Sequence, residues 1–114
     1  MREFTKEEKR QIKAVIRIGI LRRHAEWLNQ LKELLNRPFT DNENEFDRSM
    51  AITDKSRKFY KEAMKMEDYY RNSVLHFSIL NLFFDGYITW DDLSQLSEDL
   101  QDFFQVLIDL YENH

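Results

Sequence analysis

Two glycines and one proline are the only strong backbone breakers in 114 residues, at Gly19, Pro38 and Gly86. So few cannot furnish the turns of a many-stranded sheet, and no apolar/polar alternation bounded by turn residues marks a strand. The chain therefore reads as all-α: a bundle of three to four long antiparallel helices in one helical domain over 1–114. Hydrophobic residues at 42% with 14% aromatics are too many for disorder, and 33% charged residues favour solubility.

Thr5 and Glu8 form a T-x-x-E capping box, which starts a first helix. Ile12, Val15, Ile16, Ile20, Trp27, Leu28, Leu31, Leu34 and Leu35 then give one apolar stripe, and Pro38 ends it by pushing Arg37 away from the helical region. Residues 37–44 are a loop, with Thr40 and Glu43 as a second box. A break near Thr53 and Asp54 would divide the middle helix; without it, helix runs straight through. From Lys55 to Phe84 the pattern is helical, with Phe59, Ala63, Met66, Tyr70, Val74, Phe77 and Leu80 inward. Asp85-Gly86 stops it. Thr89, helped by Asp92, starts a last helix with the stripe Leu93, Leu96, Leu100, Phe103, Leu107 and Tyr111.

The segment Val74–Ile88 is apolar around nearly its whole circumference, whereas a bundle helix needs an arc little wider than ~100°. Exposed aromatics would each cost on the order of 1.5–3 kcal/mol. Phe77, Leu80, Phe83 and Phe84 are therefore expected to form an interface, most simply with a second copy of the chain; the plainer alternative is a third helix buried all round. Charge is uneven as well. Residues 1–37 hold ten basic and five acidic residues, residues 38–84 seven and eight, and residues 85–114 eight acidic and none basic. The last segment offers an acidic surface for a basic protein partner, through Asp91, Asp92, Glu98, Asp99 and Asp102. Lys6, Arg10, Lys13 and Arg17 fall within about 60° on the first helix. They form an anion stripe for nucleic acid or, more simply, a solvated face. The acidic total, −4, ranks nucleic acid below protein as a partner.

Catalytic motifs are few. Arg71-Asn72-Ser73-Val74-Leu75-His76 resembles the R-x4–6-H signature of HEPN domains, small all-helical and often dimeric modules, many of them metal-independent ribonucleases. The resemblance implies that Arg71 would hold the scissile phosphate and His76 would carry the 2′-hydroxyl proton. The resemblance also implies that the apolar segment just beyond forms a dimer face, pairing two copies of the motif across a cleft. On a regular helix, residues five apart diverge by about 140°, so Arg71 and His76 would not converge within one chain. The structural alternative is a surface arginine and a locally bonded histidine. Asn81–Asp92 echoes half a calcium loop, but Phe83 stands where an oxygen ligand is needed. No Glu-x-x-His occurs for a carboxylate-bridged metal pair. Cysteine is absent, which removes disulfides, thiolate metal sites and a thiol nucleophile. No metal and no cofactor is expected. No apolar run approaches the ~20 residues that span a bilayer, and MREFTKEEKR carries no secretory apolar region; no membrane partner and a cytoplasmic location are expected. The reading is a non-enzymatic, acidic, dimeric interaction module of the inhibitor, immunity or accessory type, with the HEPN-like ribonuclease as its rival.

Overall fold

A computed structural model of the chain describes residues 2–113, and among them the regular structure is entirely helical, with no strand. The elements are α1 (Lys6–Asn36), α2 (Glu45–Met66), α3 (Leu75–Phe84), α4 (Trp90–Leu93) and α5 (Glu98–Glu112), with 3-10 turns at Glu67–Tyr70 and Asn72–Val74. Backbone contacts group the chain into two compact units, one of Met1–Arg22 with Tyr69–His114, the other of Arg23–Asp68.

Local chemistry sets most of the boundaries. At the start of α1 the Thr5 N–H donates to Glu8 Oε1 at 2.9 Å and the Glu8 N–H to Thr5 Oγ1 at 3.1 Å, the expected reciprocal box. At the end of α3, Gly86 takes φ +84°; its N–H reaches Phe83 O at 3.1 Å and that of Tyr87 reaches Leu82 O at 2.9 Å. That pair of bonds is the Schellman closure, which needs a left-handed residue and so favours glycine.

Three expectations shift, and the open question at residue 53 is decided for continuous helix. Thr40 and Glu43 make a turn, with the Thr40 N–H donating to Glu43 Oε1 at 3.3 Å; the cap of α2 falls at Asn44, boxed with Asp47. Residue 53 lies inside α2, because the Thr53 hydroxyl satisfies itself on Ser49 O at 2.9 Å instead of capping. The helix expected over Lys55–Phe84 ends at Met66. Asn72 and Ser73 favour local bonding over helix, and the Ser78 hydroxyl, shared between Tyr69 O at 2.9 Å and the N-cap carbonyl Val74 O at 3.1 Å, satisfies the Tyr69 carbonyl that the break would orphan. The last helix likewise divides, with Ser97 capping α5 and Gln101 Nε2 donating to Leu96 O at 2.6 Å. That break resets the phase: Leu100, Phe104 and Ile108 are buried, while Phe103 and Leu107 are half-buried and Tyr111 is exposed.

In the first unit, Ile12, Val15, Ile16 and Ile20 of α1, Leu75, Ile79 and Leu82 of α3, and Leu100, Phe104 and Ile108 of α5 form the buried core. Gly19 belongs to it by necessity. A Cβ there would stand 2.9 Å from Ile88 Cγ2 and 3.0 Å from Leu82 Cδ1, so the missing side chain permits close approach. In the second unit Trp27 is buried and stacks on Phe59, with ring centroids 5.2 Å apart. The loop from α1 to α2 is held by Arg48, a buried residue. Its guanidinium donates to Arg37 O at 2.8 Å and Pro38 O at 3.3 Å, and grips the Glu43 carboxylate at 2.8 and 3.1 Å.

Candidate functional site

Two surfaces of the first unit gather the residues singled out above. The first is on α3. Ser78, Leu82, Leu75, Ile79, His76 and Leu80 are all buried, and at 100° per residue they cover about 200° of the circumference. Leu80 is 4% exposed, so it serves this chain's own core and not an outer face. Cover from the chain itself therefore extends further round α3 than the apolar pattern alone suggests. What remains open is a narrow strip carrying Phe77 at 43% and Phe84 at 47% exposure, seven residues apart and hence nearly in line. Phe83 is half-buried beside them. It meets Phe84 edge-on at 5.7 Å and Trp90 at 4.9 Å between centroids, and Trp90 itself is exposed. Phe83, Phe84 and Trp90 thus make one continuous aromatic patch, and the exposed carboxylates Asp85 and Asp91 adjoin it in the chain. The Thr89–Asp92 capping box fixes Trp90 at the first position of α4.

Of the five acidic residues expected on a partner surface, Asp91, Glu98, Asp99 and Asp102 are exposed. Asp92 is buried and otherwise engaged. It accepts from Arg22 Nη1 at 2.5 Å and Nη2 at 3.0 Å and from the Thr89 N–H at 2.7 Å. The Arg22 bonds hold its carboxyl below the usual range. A buried carboxylate needs such partners, so Asp92 holds structure together and its neighbours face outward.

The second surface is cationic. Lys6, Lys9, Arg10 and Lys13 line a shallow groove with Asn72, and a neighbouring hollow is lined by Arg2, Glu3, Phe4, Lys9, Asn72, Ser73 and His76. Lys9 and Asn72 belong to both, so the two hollows adjoin. Three members of the expected stripe gather here; Arg17 is exposed but lies further along α1 and does not line the groove. Arg10 is engaged by Glu7, whose carboxyl it holds down at about 2. Arg2 pairs with Glu8 and lies over the rings of Phe4 and Phe103 at 5.6 and 5.4 Å.

His76 is 5% exposed and its Nε2 has no hydrogen-bond partner among the described residues. Burial lowers its pKa from the ordinary histidine value, which favours the neutral imidazole. Arg71 does not line either hollow. It sits in extended backbone at φ −69°, ψ 132°, ahead of α3, so Arg71 and His76 are not on one regular helix. Beside His76 the hollow is lined by Asn72 and Ser73 from within the motif and by Arg2 and Lys9, which the motif does not contain. The signal for Lys9 lay in its i+3 and i−4 spacing to Lys6 and Lys13; for Arg2 only tertiary packing could reveal it. Among the described residues no cluster of histidine and carboxylate side chains could hold a metal ion, and no helix is long and apolar enough to cross a membrane. The chain matches no protein-family model, no curated protein and no solved structure.

Proposed function

We propose that this chain is a small all-helical interaction module, assembled as a dimer in the cytoplasm, that docks a protein partner through the Phe83–Phe84–Trp90 patch. The observation that carries the reading is the exposure of that patch, with the exposed rings of Phe84 and Trp90 each packed edge-on against Phe83. Large aromatics at the centre of an interface supply most of its binding energy when a partner excludes water from them. The rim decides which partner. Asp85 and Asp91 adjoin the patch, and residues 85–114 contain eight carboxylates and no lysine or arginine, so the complementary surface is cationic with an apolar centre.

Affinity isolation from the source cell with three baits tests this: the native chain, Trp90→Ala, and Glu98→Lys with Asp102→Lys. One basic protein held by the native chain and lost by both variants supports the reading, with dissociation constants raised at least tenfold. A capture profile identical for all three baits overturns it.

A second reading rests on the convergence of Lys9, Asn72 and His76. The paired hollows suit a polyanion, and in its stronger form a HEPN-like ribonuclease with His76 as proton carrier and Arg71 on the phosphate. RNA incubated with the native chain and with His76→Ala tests it, and equal traces exclude hydrolysis that depends on His76. Binding through about four phosphates should weaken steeply with salt.

A further inference from the structure

The outer face of α2 is unusually regular. Phe46, Met50, Thr53, Arg57, Tyr60 and Met64 recur at alternating steps of four and three, the a/d spacing of a two-stranded seam. At 100° per residue all six fall within an arc of about 80°. All six are exposed in the folded chain, Phe46 at 70% and Tyr60 at 65%. The opposite side of the same helix carries Arg48, Ile52, Lys55, Phe59, Ala63 and Met66, all buried or half-buried. The helix therefore has an inner face in use and an outer apolar face without cover, although large apolar side chains in water are costly.

We infer that a second copy of this chain covers that face, α2 pairing antiparallel with α2 about a two-fold axis near residue 55. This inference rests on the reading of the chain as a dimeric interaction module, and it assigns the self-association to α2 and leaves the α3–α4 patch to another protein. The register follows from the seam. In an antiparallel pair each a residue faces a d residue, which sets Phe46 against the partner's Met64, Met50 against the partner's Tyr60, and Thr53 against the partner's Arg57. Every layer maps onto itself under the two-fold axis, as an isologous interface requires.

Charge selects the same orientation. Residues 45–54 carry three acidic residues and one basic, and residues 55–66 carry five basic and one acidic. Antiparallel pairing lays each acidic half on a basic half and brings Asp47 beside the partner's Lys61. Parallel pairing would stack like on like and place Arg57 against the partner's Arg57. Asp54 meets its own equivalent near the axis, but Arg57 Nη1 stands 3.6 Å from its carboxylate and offsets that repulsion.

Because the chain has no cysteine, orientation can be read by single introduced thiols. Ser56 faces its own equivalent across the two-fold axis, whereas two copies of Ser49 lie about 21 Å apart along the helix direction. Under mild oxidation Ser56→Cys should form a disulfide-linked dimer and Ser49→Cys should not. Light scattering of the native chain should report twice the 14.0 kDa chain mass, and Tyr60→Glu, a surface change, should restore the single mass. Asp47→Lys should weaken the dimer at least tenfold, and adding Lys61→Asp should restore it. A monomeric native chain, or a Ser49→Cys disulfide forming as readily as that of Ser56→Cys, overturns the inference. Tyr60→Glu should still capture the cationic partner that Trp90→Ala loses, so failure of the dimer and failure of the docking patch are told apart.

Discussion

Single side chains in the first unit have consequences out of proportion to their size. Gly19 sits where an added Cβ would press on Ile88 and Leu82. Replacing a mid-helix glycine ordinarily gains up to ~1 kcal/mol of helix propensity, but overpacking a filled core costs roughly 1–3 kcal/mol. Gly19→Val brings two further carbons into the same contact and little propensity, so the packing cost prevails. Urea unfolding of Gly19→Val should show a loss of about 1–3 kcal/mol, and an unchanged midpoint would mean that the close approach is not real. His76 acts through charge. Burial lowers its folded pKa below the 6.5 of an unperturbed histidine, so the unfolded chain binds more protons between those two values. Its contribution is fully present above pH 6.5 and declines as pH falls from there toward the folded pKa. His76→Gln should flatten that decline, measured as the difference in thermal midpoint between native and variant across pH 7.5 to 5. Neither effect is legible before folding. In the sequence Gly19 reads equally as a close approach or as a weak point in the helix, and the burial of His76 depends on which side of α3 the core occupies.

At the scale of the element, capping chemistry was the most readable feature and helix continuity the least. Thr5–Glu8, Gly86 and Thr89–Asp92 each act within six residues or fewer, so their function is visible without tertiary information. The breaks at residues 67–74 and 94–97 depend instead on Ser78 and Gln101, side chains several residues away that take up the freed carbonyls. Hydrophobic spacing runs through both breaks without a glycine or proline to mark them, which is why two helices read as longer than they are. The α1–α2 loop adds a case of its own. The last turn of α1 contains no basic residue; Arg48 from α2 reaches Leu35 O within that turn at 3.5 Å and donates more closely to Arg37 O and Pro38 O just beyond it. Glu43 orients that guanidinium, and the Arg48 hydrogen bonds, with the Thr40 N–H and the charge of Arg37, hold its carboxyl down at about 2 against an ordinary 4.5. A lowered carboxylate stabilises the fold above its unfolded pKa and loses that contribution as pH falls through the folded one. The advantage of the native chain over Glu43→Gln should therefore be constant above pH 4.5 and close between pH 4.5 and 2, read by circular dichroism melts. An advantage that persists at pH 2 would mean that the Arg48 grip does not depend on the charge of Glu43.

Across the whole molecule the buried apolar residues are distributed unequally. Of the seventeen buried apolar residues among those described, fifteen belong to the unit of Met1–Arg22 and Tyr69–His114, and two, Trp27 and Met66, to Arg23–Asp68. Opening free energies follow buried apolar contact, so a unit with two such residues opens well before one with fifteen. The second unit is also where Phe46, Met50, Tyr60 and Met64 stand exposed on one helix, so the part of the chain least stabilised by its own core has the most to gain from association. Ligation of a folded state adds stability that grows with the concentration of what binds it. Amide exchange separates the two sources. In dilute solution, α2 amides should exchange faster than those of α3 and α5. Raising protein concentration a hundredfold should slow α2 by a factor of ten or more in the dimerising range, and leave α3 and α5 nearly unchanged. In Tyr60→Glu the α2 rates should lose their concentration dependence. Uniform protection of both units at every concentration would show that Trp27, Phe59 and the Arg48 grip stabilise the second unit without a second copy. The exposed line on α2 would then be a tolerated surface, and its heptad spacing would carry no consequence for assembly.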